Sequence, residues 1–577
     1  MTRWRWAVAA LLLAVIAVPL AMPLIAVVRV PSAWTALTDA DRLLLLARNT
    51  LLLVGGTLAL ATPVGVVGAV LLYRTDLPLR RPLRFILILT LFVPLPLFAS
   101  GWQSALGSGG WLPAPIWTTP SPTDPDVSST GIAWKPWAMG LPAAVWIHAT
   151  AGLPWIVLLV GQGLRWVERE LEEDALTVLS PRRVLLCVTL PRCRAALLAA
   201  MIWVALQTAT EITVTDMLQV RTFAEEVYNQ LTRPDQSTSV PLMQIAVARA
   251  VAVSLPGTLL IGLTVAWAAR RWEHQLPAFD RLTQRPWQFT LGPARWPLAL
   301  LTLIAIGILV GIPVGSLIWR VGLTTNTPDP LHSAIEDFTP GRHWSAATAD
   351  AQLRTVLHVR GGLVMTSLWQ TAIAGAGCAL LAWTTCWLAA GSRPFRALAL
   401  VLLVAAWSMP GPVIGIGLIE TIKVILNATQ SSMLDQVLYR GASPMPLWWA
   451  FLVRFFPAAV AVCWPVMRLL PGELVQSARV DGATPLFELR RVIWPLTSGV
   501  FVLAALAVAV LSLGELSASK LVEPAGQMTF AHEVFTQMHY GVTNDVPALC
   551  LILLGAVFAG GTAVAILGRR LRRPSVE

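Results

Sequence analysis

Five charged side chains fall inside stretches otherwise made of apolar residues: Glu211, Arg249, Glu420, Arg454 and Glu515. A charge in a bilayer-length apolar segment is costly and by default marks a pathway, a gate or an ion position. Glu211 follows Pro191 at the same spacing as Glu515 follows Pro495. Two equivalent carboxylates are therefore expected at one depth. At ~1.5 Å per residue, both lie roughly 27 Å along helices that start inside, while Arg249 and Arg454 lie about 10 and 12 Å from the outer ends of theirs. Glu420 is also near an outer end, so all five share the outer third. One reading is an outer gate or cargo vestibule built on the glutamate pair. The other is a set of interfacial ion pairs, with Arg249 or Arg454 snorkelling to headgroups. Carboxylates suit a hard cation, but two do not make a metal site, and His148, His358, His532 and His539 stand apart from them. No metal or cofactor is expected. No paired catalytic carboxylates and no His or Cys cluster lie at depth, and there is no G-x-x-x-x-G-K-[ST] phosphate loop. The chain is not expected to be an enzyme.

The surrounding sequence sets where such charges sit. Of 577 residues, 56% are hydrophobic and 13% charged, and the mean hydropathy is +0.67. Soluble domains carry about 25% charged residues, so a soluble enzyme, a disordered chain and a fibre are excluded. Apolar runs recur near 7–28, 49–72, 84–106, 138–163, 193–217, 242–269, 296–319, 363–390, 397–421, 446–469, 497–517 and 546–568. They are continuous rather than alternating, so they read as helices and not barrel strands. The expected fold is all-α and polytopic, with about twelve spans. The N-terminal run is too long for a signal-peptide core and reads as a retained helix starting inside.

An inside start places 73–84, 164–195, 270–295, 391–396, 468–496 and both termini in the cytoplasm. With the N-terminal pair Arg3 and Arg5, these segments hold 27 of the 42 Lys and Arg but 12 of the 31 Asp and Glu. The positive-inside rule thus accounts for the net charge of +11, and no nucleic acid partner is implied. The partner is the lipid bilayer. The six cysteines fall in apolar runs or cytoplasmic loops, where disulfides are not expected.

The chain also repeats itself. Residues 222–230 (TFAEEVYNQ) match 529–537 (TFAHEVFTQ) at six of nine positions. Pro94-x-Pro96 matches Pro410-x-Pro412, and the Pro191/Glu211 and Pro495/Glu515 pairs match in turn, at offsets of 307, 316 and 304. Two halves follow, 1–269 and 296–577, joined by 270–295. Six spans in each half make the repeats parallel, an arrangement found in transporters with the path between the halves.

The longest cytoplasmic segments, 164–195 and 468–496, sit at the same place in each half. The second contains Gln476-Ser477-Ala478, then Asp481-Gly482-Ala483, then Val492 and Pro495. A short helix is expected to end at Asp481-Gly482, and a second before Pro495. This loop resembles the EAA loop of ABC importer membrane subunits: E-A-A, three residues, G, nine residues, then I-x-L-P. Gln-Ser-Ala replaces Glu-Ala-Ala. In the first loop Glu172 stands as far before Pro191 as that pattern asks, with Val178 in the place of glycine. Alternatively Glu173-Asp174-Ala175 is the motif, with one residue deleted.

Residues 218–228, Leu513-Gly514-Glu515-Leu516-Ser517-Ala518, Met538-His539-Tyr540-Gly541, Asn49-Thr50 and Arg74-Thr75-Asp76-Leu77-Pro78 are similar to the fused two-half permeases of the ferric iron type. The resemblance implies an inner-membrane permease whose two loops dock on two copies of an ATPase subunit. It also implies an external or periplasmic solute-binding protein that delivers the cargo. Thiamine, sulfate, polyamine and phosphonate permeases are close relatives with other cargoes. An ion-driven secondary transporter is the rival from another class, and it needs neither the paired loops nor an ATPase.

Overall fold

The computed structural model describes residues 2–91, 93, 95–106, 117–118, 133–134, 140–232, 240–273, 286–325, 342–468, 470, 472–524, 526–539 and 545–571. Pro94, most of 101–137, residues 274–285 of the linker and the tail after Leu571 lie outside these. The fold is all-α, and the strands among the described residues are two short antiparallel pairs. Among the described residues, nine helices are long and apolar enough to cross a bilayer, or up to eleven if each of two bent pairs counts once. The chain is a multi-pass membrane protein by this measure. Of the remaining expected stretches, 546–568 lies in the helix Asp545–Leu571, whose apolar described part is Asp545–Ala559.

Three sequence expectations are corrected. The run 397–421 is not one span: it breaks at Met409–Pro410 into Arg393–Ser408 and Gly411–Thr429, and the second piece is the one of span length. Pro410 lacks the N–H a continuous helix needs, and it holds the residue before it in extended geometry. The span expected near 49–72 does not open at Asn49 and Thr50. The helix Ala40–Arg74 begins earlier, capped by Asp39, whose carboxylate accepts the Arg42 N–H at 3.1 Å. Nor does the second loop helix stop before Pro495, since helical structure runs through it over Leu486–Leu513.

How helices pass these prolines is visible in the backbone. Single π turns occupy Leu13–Ala17, Leu185–Thr189, Gly307–Gly311 and Leu489–Ile493. Each ends two positions before a proline: Pro19, Pro191, Pro313 and Pro495. A proline ring clashes with the carbonyl four positions back. A π bulge adds one residue to the turn and moves that carbonyl aside. The helix continues where sequence reasoning ends it.

The first helices of the two parts of the chain pack reciprocally. Residues Leu12, Ile16 and Leu20 of Arg3–Arg29 join the buried cluster of Cys378, Ile414, Phe451 and Phe456. Gly417 lies so close to Pro19 and Pro23 that a Cβ there would collide with them. Pro313 of Gly292–Val321 lies against Gly101 in the same way, within Leu95–Leu106. Glycine at these two positions allows helix backbones to touch.

Candidate functional site

The helix Arg194–Ala209 ends just before Glu211. The carboxylate of Glu211 turns back onto the next short helix, Thr213–Met217: Oε1 accepts the Thr213 N–H at 2.6 Å and Oε2 the Val214 N–H at 2.9 Å. The same device recurs at Glu515. Glu515 follows the helix end at Leu513, and its Oε1 accepts the Ser517 hydroxyl at 2.7 Å and the Ala518 N–H at 2.8 Å. Its Oε2 accepts the Ser519 N–H at 2.9 Å. In both places a hydroxyl one helical turn on donates to the glutamate's own carbonyl, from Thr215 at 3.3 Å and from Ser519 at 2.8 Å. A carboxylate bonded to free N–H groups at a helix start satisfies donors that have no intrahelical partner.

Arg454, from the helix Met445–Arg468, reaches between these two elbows. It donates to the Met409 carbonyl at 3.0 Å and to the Thr210 hydroxyl at 2.8 Å, and its charge faces Glu515 and Glu211. The three side chains line one cavity of about 140 Å³, with His148, Trp155 and Phe455 also in its wall. His148 is buried, its Nε2 is 3.9 Å from Glu211 Oε2, and that nitrogen has no hydrogen-bond partner. The sequence sets His148 apart from the glutamates, and the structure puts it beside one. The signal that could have found it is its place in Gly140–Arg165, which is much the same as that of Arg454 in Met445–Arg468.

Arg249 and Glu420 are not part of this cavity. Glu420 pairs with Lys423 at 2.8 Å, and Arg249 lies beside the buried cluster residues Ala248 and Ala250. Of the five charges, Glu211, Glu515 and Arg454 line this cavity, together with His148. Trp155, in its wall, packs on Trp203 at 5.0 Å, and Trp203 packs edge-on against Trp407 at 5.9 Å. Trp407 borders a second cavity of about 200 Å³, lined mainly by apolar residues with Trp166 and Trp464.

The matching nonapeptides form the helices Phe223–Thr232 and Phe530–His539, with paired bonding. The N–H of Phe223 donates to Thr50 at 3.3 Å, and that of Phe530 to Ser367 at 3.0 Å. Arg42 pairs with Glu226, and Arg360 with Glu533. Gln230 donates to Glu226, and Gln537 to Glu533, both at 2.6 Å. Between the two helices sits the ammonium of Lys520, 4.6 Å from the Tyr228 ring and 4.7 Å from the Phe535 ring. These are equivalent positions of the two nonapeptides. Cation–π contact on both sides ties the two helices together.

The loops differ. In the first, Glu172 lies on the helix Arg169–Leu176 with its side chain fully buried. It pairs with Arg74 and accepts the Thr189 hydroxyl at 2.6 Å, and Arg74 also donates to the Leu164 carbonyl at 2.9 Å. Glu172 is therefore not available to a partner protein. Glu173 pairs with Arg169 on the same helix at 2.7 Å. Asp174 and Pro191 are exposed, and Ala175 is half-buried. In the second loop the helix Gly472–Val480 ends at Gly482, whose φ is +80°, as Asp-Gly requires. Gln476, Ser477, Asp481 and Gly482 are exposed, with Ala478 and Ala483 half-buried and Pro495 exposed further on. Exposed Val480, Leu486 and Phe487 flank the turn.

No protein-family model matches the chain, and no curated protein is similar to it.

Proposed function

We propose that the chain is the permease subunit of an ATP-driven (ABC) importer. It consists of two parallel six-helix halves, 1–269 and 296–577, with both termini in the cytoplasm and the cell inner membrane around it. Two copies of an ATPase subunit bind at 164–195 and 468–496, and a solute-binding protein delivers the cargo outside. The observation that carries this reading is mechanical. The helices that leave the two loops are the ones that end at Glu211 and Glu515, beside one cavity. From Leu486 to Leu513 the second of them is a lever 28 residues long. A partner that shifts the elbow at Gly482 shifts the far end too, because a helix transmits rigid-body motion.

The reciprocal packing of the first helices and the offset pairs of hydrogen bonds support two copies of one unit around this cavity. The cavity, the Trp155–Trp203–Trp407 stack and the apolar cavity beyond it form the path. Lys520, held between Tyr228 and Phe535, closes the outer side. ATP binding by the partner subunits then switches the path from inward- to outward-facing. Ferric iron is the first cargo to test, on the strength of the resemblance alone.

The test is purification of the tagged chain from its native membrane with associated proteins. An ATPase subunit is expected to co-purify and to be lost from the double variant Leu486→Asp/Phe487→Asp while the chain itself remains folded in the membrane. Transport that persists without any ATPase and follows an ion gradient instead would establish the secondary-transporter alternative. Uptake of labelled ferric iron in deficient and restored cells tests the cargo.

A further inference from the structure

We infer that the cavity between the two elbows is a recognition site for a small organic ammonium group, held by His148 and Glu211. The inference rests on the importer reading only for calling the occupant cargo. The ionisable groups Glu211, Glu515 and Arg454 stand in the cavity wall, two carboxyl groups against one guanidinium, an excess of one negative charge when both carboxyls are ionised. Glu515 takes three donors, the hydroxyl of Ser517 and the N–H groups of Ala518 and Ser519. Glu211 takes the N–H groups of Thr213 and Val214 and the Thr213 hydroxyl, but its side chain keeps 17% exposure against 6% for Glu515, so it is the carboxylate more open to the cavity. Arg454 is tied back to Met409 and Thr210.

Opposite Glu211, His148 is 4% exposed with Nε2 unpartnered, an arrangement that costs free energy unless something fills it. It is the one such atom among the described residues of this wall. A single donor nitrogen about 2.9 Å from each atom bridges a gap of this size, since N–H···O and N–H···N bonds have that length. The gap is 3.9 Å. A cationic donor balances the excess charge as well, and a buried charge is stable only when paired. Phe98, Phe455 and Leu511 give the rest of the wall an apolar surface for a short carbon skeleton. A bare metal ion fits less well: no group of three or more His, Cys, Asp or Glu able to hold one occurs among the described residues.

The experiment is equilibrium dialysis of the purified full-length chain in lipid nanodiscs against labelled n-butylammonium, with n-butanol and ferric citrate as competitors. Butylammonium is expected to bind saturably. Binding should fall by about tenfold or more in Glu211→Gln and in His148→Phe, the loss expected for one hydrogen bond to a charged group. It should be unchanged in Glu420→Gln, and His148→Asn provides a smaller change should His148→Phe fail to fold. Competition by butanol as strong as by unlabelled butylammonium would overturn the inference. So would butylammonium binding indifferent to both substitutions, or binding of ferric citrate that depends on both residues. Because the chain is used alone, loss of this site leaves the importer reading standing, and failure to recruit an ATPase leaves the site standing.

Discussion

The two loops 164–195 and 468–496 differ at corresponding places in how they use their residues. In 164–195 the acidic residue is turned inward, where Arg74 and Thr189 hold Glu172. In 468–496 the corresponding Gln476 is exposed, and Leu486 and Phe487 are 60% and 55% exposed where the first loop has Arg182 and Arg183, beyond the apolar exposure that both loops have at Val178 and Leu186 and at Val480. The helix after the first loop bends by 62° at Cys193, and the one after the second is unbroken to Leu513. A buried ion pair fixes geometry without adding a binding surface. An exposed apolar turn marks a contact surface. In the importer reading, the first loop is an anchor and the second the main handle.

The largest effect that could break this comparison comes from the anchor. Arg74→Met leaves the Glu172 carboxylate buried without its partner, and breaking such a pair costs about 3–5 kcal/mol. The double variant Arg74→Met/Glu172→Leu should recover most of that loss, because it removes the buried charge as well. Thermal unfolding of the purified chain in one detergent measures both. Equal loss in the single and double variants would show that the pair does not anchor the loop.

The handle should respond differently. Gly482 has φ +80° and open space around it, so Gly482→Val brings no clash and only the strain of a left-handed residue, about 1–2 kcal/mol. Unfolding should shift modestly, while stimulation of the partner ATPase and uptake should fall much further. Val178→Gly, at the matching place of the first loop, should leave coupling intact, since Val178 has no positive φ to relieve. If both substitutions uncouple transport equally, the loops are equivalent and the contrast is lost.

What is legible in the sequence follows from which features are local. Long apolar runs announce helices wherever lipid or core surrounds them, and an Asp-Gly turn specifies its own backbone, as at Asp481-Gly482. Glu211 and Glu515 stand out because a charge in an apolar run is costly. Their exact use does not, because a carboxylate bonding N–H groups a few positions on depends on where the helix breaks. His148 is hidden since one histidine in an apolar helix says nothing of its neighbour across the cavity. The burial of Glu172 is hidden for the same reason: its partner Arg74 lies 98 residues away. Breaks at proline mislead in both directions. A π turn carries the helix past Pro495, whereas Met409–Pro410 ends one that composition alone would continue.

The smallest expected effect sharpens a second contrast, between the matching helices Phe223–Thr232 and Phe530–His539. At equivalent places they carry Glu225 and His532. His532 Nδ1 lies 2.6 Å from Glu523 Oε2. Glu225 is buried, with Oε1 accepting the Asn229 amide at 2.6 Å and Oε2 unpartnered. Burial pushes its carboxyl above the usual range, against the Asn229 hydrogen bond, and the Asp216 charge adds to the rise. A raised acid favours its protonated form in the folded chain. Its contribution to stability is therefore present below the ordinary carboxylate value, near 4.3, and is lost as pH rises through the raised value. Glu225→Gln removes that loss. The variant should match the parent chain near pH 4 and exceed it slightly at pH 7.5, read as the difference in Tm. An unchanged difference between the two pH values would mean that Glu225 titrates like an exposed carboxylate, and that the two matching helices differ in sequence only.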